Sequence, residues 1–82
     1  GEFYRGWNAA LNAIAKVINT GGAVSNWESE QIRDTLKRML LPEIDESEGY
    51  LPYDIGYNSG VNDTLNNIAD AFCVDINQEE LA

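Results

Sequence analysis

The feature that most narrows what this chain can fold into is a segment written twice. Gly6-Trp7-Asn8-Ala9-Ala10-Leu11-Asn12 returns as Gly56-Tyr57-Asn58-Ser59-Gly60-Val61-Asn62, at an offset of 50 residues. Each copy opens a run whose apolar residues recur at steps of three and four. In the first run these are Phe3, Trp7, Ala10, Leu11, Ile14, Val17 and Ile18; in the second, Tyr57, Val61, Leu65, Ile68 and Phe72. Such spacing gathers them onto one stripe of an α-helix. Glycine inside a helix costs about 1 kcal/mol relative to alanine, so Gly56 and Gly60 need a compensating reason. Very close approach of another backbone supplies one, and predicts that the twin segments cross near Gly6/Ala10 and Gly56/Gly60. In the alternative, the helix starts near Ser59 and both glycines are turn residues.

The rest of the chain reads as helix and connection. The first helix, residues 3–19, stops at Asn19-Thr20-Gly21-Gly22, where glycine supplies a left-handed cap. Ser25-Asn26-Trp27-Glu28 has the form of a capping box opening a second helix. That helix carries the stripe Ile32, Leu36, Met39 and Leu40, with Asp34 and Arg38 placed to pair at i,i+4. Pro42 ends it, because the residue before a proline is pushed out of the α region. Residues 42–53 form an acidic loop, and the third helix follows, with Asp54 as its N-cap, within the helically periodic stretch that runs to Phe72. In the tail, Asp75-Ile76-Asn77-Gln78 repeats the capping-box pattern and suggests a short fourth helix, or a frayed end. No useful strand alternation occurs. The expected fold is all-α: a single domain over residues 1–82, arranged as a helical hairpin plus a third helix. The opening Gly1-Glu2-Phe3 reads as a cloning remnant and is set aside from functional argument.

Composition excludes several kinds of function. Five Lys and Arg against 14 Asp and Glu leave a net charge of −9. Direct nucleic-acid binding needs a basic footprint, and an anionic membrane repels such a chain. No apolar run approaches the length of a membrane span. The chain has no histidine, hence neither the usual general base nor the usual metal ligand. Cys73 is the only cysteine, so it has no intramolecular disulfide partner, and a reducing compartment is the simpler setting. No nucleophile–base pair, phosphate loop or metal spacing is present, and the expectation is a protein without catalysis, cofactor or metal. Glu43, Asp45, Ser47, Gly49 and Asp54 faintly echo a calcium loop, but the glycine falls one place late and a proline intrudes.

Three groups of residues are candidates for contact. In the loop, Glu43, Asp45, Glu46, Glu48 and Asp54 surround Tyr50, Leu51 and Tyr53. Tyrosine is favoured at interfaces, and carboxylates steer a basic partner; otherwise the tyrosines fold back as lids on a thin core. Trp27 either anchors a partner or a second copy, or packs beneath Gly21-Gly22. Gly56 and Gly60, with the flanking asparagines, either cross the twin helix or form a homodimer face. Asn58, Asn62 and Asn66 recur at steps of four beside the apolar stripe, and bond either to a partner or within the fold.

Segments of the form Gly-aromatic-Asn followed by small, apolar and polar residues, here Gly6-Trp7-Asn8 and Gly56-Tyr57-Asn58, resemble those in many short accessory proteins of tailed bacteriophages. The resemblance covers only the two helical openings and carries over no functional residue. It implies a phage gene product acting in the bacterial cytoplasm by binding or inhibiting a host protein. The expected function is thus a small acidic protein-binding module. The alternatives are a DNA mimic that inhibits a nucleic-acid-binding protein, and a homodimeric assembly protein.

Overall fold

Two helices of this protein meet backbone to backbone. The computed structural model describes residues 1–20 and 27–77. Among these the chain is all-α: α1 (Glu2–Thr20), α2 (Ser29–Met39), a 3₁₀ turn (Glu46–Glu48) and α3 (Pro52–Ala71). The closest packing is between α1 and α3. A Cβ built on Gly6 would overlap the Tyr53 carbonyl oxygen and lie 2.8 Å from the Tyr57 nitrogen. One built on Gly56 would overlap the Phe3 carbonyl oxygen. On Gly60 it would meet the Ala10 Cβ at 3.0 Å and the Trp7 carbonyl oxygen at 3.1 Å.

The pattern of these contacts fixes the arrangement. Tyr53 lies three residues before Gly56, Phe3 three before Gly6, and Trp7 three before Ala10. Each small residue therefore meets the carbonyl one turn ahead of its twin, and the relation is reciprocal. The two helices run parallel, related by an approximate two-fold axis that exchanges Gly6 with Gly56 and Ala10 with Gly60. Small residues four apart let two helix backbones approach this closely. Here the expected crossing is realised, and α3 is helical from Pro52, well before Ser59. Phe3, set aside in the sequence, contributes backbone to the crossing.

Beyond the crossing the helices enclose a small core. Ala10 and Ile14 come from α1, Ile32 and Leu36 from α2, and Val61, Leu65 and Ala69 from α3. Ile76, from the tail, completes it, and with Leu65 is one of the two largest fully buried side chains. Fully burying such a side chain contributes about 1.5–3 kcal/mol. The α2 stripe packs as its spacing predicts, Ile32 and Leu36 inside with Met39 and Leu40 half-buried against them. Three stripe residues depart from expectation: Leu11, Val17 and Phe72 are exposed. None of the described helices is long and apolar enough to cross a membrane.

Helix ends differ from the sequence reading in instructive ways. The α2 N-cap is Glu28, in an extended conformation and without a side-chain cap, so Glu28 does not act from inside the first turn. Ser25, Gly21 and Gly22 lie outside the described residues. Arg38 donates to the Asp34 main-chain oxygen at 3.3 Å, while the Asp34 carboxylate accepts from Arg33 at 3.1 Å; the expected Asp34–Arg38 ion pair is replaced by this one. The N-cap of α3 is Leu51, with Pro52 at the first helical position and Asp54 within the first turn. Proline suits that position because its missing N–H would have no partner there. Asp75 does accept a main-chain bond, from the Asn77 N–H at 2.9 Å; Gln78 and the rest of the expected fourth helix lie outside the described residues.

At its C-terminal end α3 closes in a Schellman arrangement. The Val74 N–H donates to the Ala69 carbonyl at 2.9 Å and the Cys73 N–H to the Asp70 carbonyl at 3.1 Å. The left-handed residue this requires is Cys73, at φ 58°, where glycine is the usual choice. A side chain in that conformation costs about 1–2 kcal/mol. Cys73→Gly is therefore expected to stabilise the protein by about 1 kcal/mol, read as a higher urea midpoint with an unchanged slope. A midpoint that stays or falls contradicts this account of the helix end.

Candidate interaction surface

Parallel packing puts the N-termini of α1 and α3 at one end of the molecule, and the acidic loop enters there. The loop proper is residues 40–51, two residues earlier than expected, so Tyr53 and Asp54 belong to the first turn of α3. The 3₁₀ turn that starts at Glu46 is organised by Asp45, whose Oδ1 accepts from the Ser47 hydroxyl at 2.6 Å and from the Ser47 N–H at 2.9 Å. These two bonds, the hydroxyl's first, hold the Asp45 carboxyl below its ordinary value of 3.8. Gly49, at φ 81°, turns the chain out of it, a conformation open to glycine at no steric cost.

This end exposes large apolar side chains. Tyr50 is 46% exposed, Leu51 65% and Tyr53 37%, and on the first turn of α1 Tyr4 is 70% exposed. The tyrosines do not serve as closed lids on the core. Around them stand Glu43, Asp45, Glu48 and Asp54, all exposed. Among the described residues the ion pairs engage Glu2, Glu30 and Asp34, and none of these four loop and helix-start acids. Asp54 and Glu2 sit in the first turns of their helices, where the helix dipoles favour negative charge. Between the loop and α3 opens a cleft of about 390 Å³, lined in part by Glu43, Asn58, Ser59 and Asp63. No cluster of three metal-ligating residues exists among the described residues.

The asparagine row is accounted for within the fold. Asn62 grips the backbone of Leu41 with both ends of its amide: Oδ1 accepts from the Leu41 N–H and Nδ2 donates to the Leu41 carbonyl, each at 2.9 Å. Asn58 Nδ2 donates to the Pro42 carbonyl at 2.9 Å. Asn66 Nδ2 donates to the Asn62 carbonyl at 2.8 Å, and Asn66 Oδ1 accepts from the amide of Asn77. One face of α3 thus staples down both the segment leaving α2 and the tail. On α1 the twin residues Asn8 and Asn12 are exposed, and neither side chain makes a hydrogen bond among the described residues.

The other self-association candidates lie inward. Gly56 and Gly60 are buried against α1 of the same chain, so a second copy would have to displace α1 to reach them. Trp27 is half-buried and packs against the core. The sequence reading did not single out Tyr4; its place outside the apolar stripe of α1 was the available signal.

No family model, curated protein or solved structure matches this chain.

Proposed function

We propose that this protein is a non-enzymatic binding module whose contact surface is the aromatic, acidic end of the bundle. The carrying observation is the joint exposure of Tyr50, Leu51 and Tyr53 beside Glu43, Asp45, Glu48 and Asp54, which enter no ion pair among the described residues. Exposed aromatic side chains ringed by one sign of charge suit a protein partner with a basic rim and an apolar centre. The resemblance of the Gly-aromatic-Asn segments makes a bacterial host protein, met in the cytoplasm, the partner class to test first.

A capture experiment from bacterial lysate tests this, comparing the natural chain with a Glu43→Gln, Glu48→Gln, Tyr50→Ala variant. All three side chains are exposed, so the helical circular-dichroism signal is expected to persist. Capture of the specific partner is expected to fall by roughly tenfold or more, in line with loss of one aromatic anchor and two steering charges. Added salt is expected to weaken the natural complex through screening. Undiminished capture by the variant places the contact surface elsewhere.

A further inference from the structure

The approximate two-fold axis gives the α1–α3 crossing two equivalent faces, and the chain covers one of them. On α3, Asn58 and Asn62 hold the extended segment Leu41-Pro42 by its backbone, and Val61 and Leu65 are buried close to them, at 5% and 0% exposure. The twins on α1 are Asn8, Asn12, Leu11 and Ala15. Here both asparagines lack partners among the described residues, Leu11 is 39% exposed and Ala15 is exposed. Asparagine is unfavourable inside a helix, so a pair of them one turn apart on an open face has no reason in helix propensity.

We infer that this face of α1 docks an extended apolar-proline-acidic segment of a partner protein, held as the chain holds its own Leu41-Pro42-Glu43. Asn12 would grip the main chain of the apolar residue through both ends of its amide, and Asn8 would donate to the following carbonyl. Leu11 and Ala15 would receive the apolar side chain. Charge selects the acidic continuation. Glu43 shares a cleft with Ile55, Asn58 and Asn62, and where α3 carries the uncharged Ile55, α1 carries at the twin position Arg5, an exposed cation that also meets Glu2 at 3.0 Å. A cation therefore stands where the acidic continuation would arrive, in a protein of net charge −9. The surface adjoins the aromatic end, where Arg5 follows Tyr4, and selects the opposite charge.

The probe is a synthetic peptide with the sequence of residues 38–46, Arg-Met-Leu-Leu-Pro-Glu-Ile-Asp-Glu, titrated into the isotope-labelled protein and followed by NMR. The side-chain amide signals of Asn8 and Asn12 and the backbone signal of Leu11 are expected to move saturably. Asn12→Ala is expected to weaken binding by roughly tenfold or more, from loss of both amide bonds. Its fold is expected to be unchanged, since Asn12 is exposed and alanine favours helix. Movement confined to Asn58 and Asn62 would mean that the peptide only displaces the chain's own segment, and overturns the inference. So does the absence of movement at millimolar peptide. A protein that is dimeric without peptide, and monomeric as Asn12→Ala, makes a second copy the occupant and overturns the partner assignment.

Discussion

Gly56→Ala is expected to destabilise this protein by about 3 kcal/mol or more, enough to leave a domain this small largely unfolded at modest urea. At an exposed helix position the same change stabilises by about 1 kcal/mol. The sign thus reports directly on the crossing. The new methyl group would overlap the Phe3 carbonyl oxygen, a backbone atom of α1 with no rotamer through which to yield. Relief requires moving one helix away from the other, which opens gaps along a close-packed contact. Gly60→Ala makes a useful contrast. Its nearest neighbours, the Ala10 Cβ at 3.0 Å and the Trp7 carbonyl oxygen at 3.1 Å, need to shift by only a few tenths of an ångström. Its loss is expected to be about 1 kcal/mol or less after the gain in helix propensity. Gly6→Ala, which meets the Tyr53 carbonyl oxygen as Gly56 meets that of Phe3, should behave like Gly56→Ala. Urea midpoints of the three variants test the series, and a Gly56→Ala midpoint at or above that of the natural chain rules out backbone contact there.

Asn62→Ala is expected to cost about 1–2 kcal/mol net. Two hydrogen bonds of about 1 kcal/mol each are lost, and alanine returns roughly half a kcal/mol through better helix propensity. The half-buried Leu41 N–H and carbonyl are left seeking water, which is why the loss is not recovered. Hydrogen exchange gives a local reading: the Leu41 amide should lose protection while the amides of α1 at the crossing keep theirs. Asn58→Ala removes a single exposed bond to Pro42 and should cost less than half as much. If Asn62→Ala and Asn58→Ala are equal and small, the paired bonds to Leu41 do not hold the segment.

How much of this was legible in the sequence depends on whether the signal is periodic. The crossing was legible, because Gly56 and Gly60 spaced by one turn inside an apolar stripe leave few physical justifications besides close backbone contact. The α2 stripe was legible for the same reason. The asparagine row announced itself by its spacing, but not its targets: Leu41 and Pro42 are held in an aperiodic segment that bears no mark of which helix receives it. The start of α3 carried two compatible signals, Pro52 and Asp54, and local pattern alone does not rank a proline at the first helical position against an aspartate cap two residues later. Ile76 was illegible because it and Val74 are too few apolar residues, among polar neighbours, to set a period. Cys73 ran against the ordinary choice of glycine, so its left-handed conformation left no trace. At the loop, composition pointed to Tyr50 and Tyr53, and the structure adds their exposure, together with that of Leu51 and Tyr4.

The parallel pairing of α1 and α3 also governs the order in which this protein can assemble. Helical proteins usually fold fast because neighbouring helices find one another locally. Here the tightest contact joins segments an offset of 50 residues apart, and α2 lies between them. A long loop must close before the glycine surfaces reward it, and that entropy is lost before most native contacts exist. On the ribosome α1 emerges before α3 and waits for it to be made. Until then Gly6 and Ala10 face no partner, and a chain cut short after α2 has no means of completing its core. Folding is therefore expected to be slow for a helical bundle of this size, and to proceed only once α3 is present.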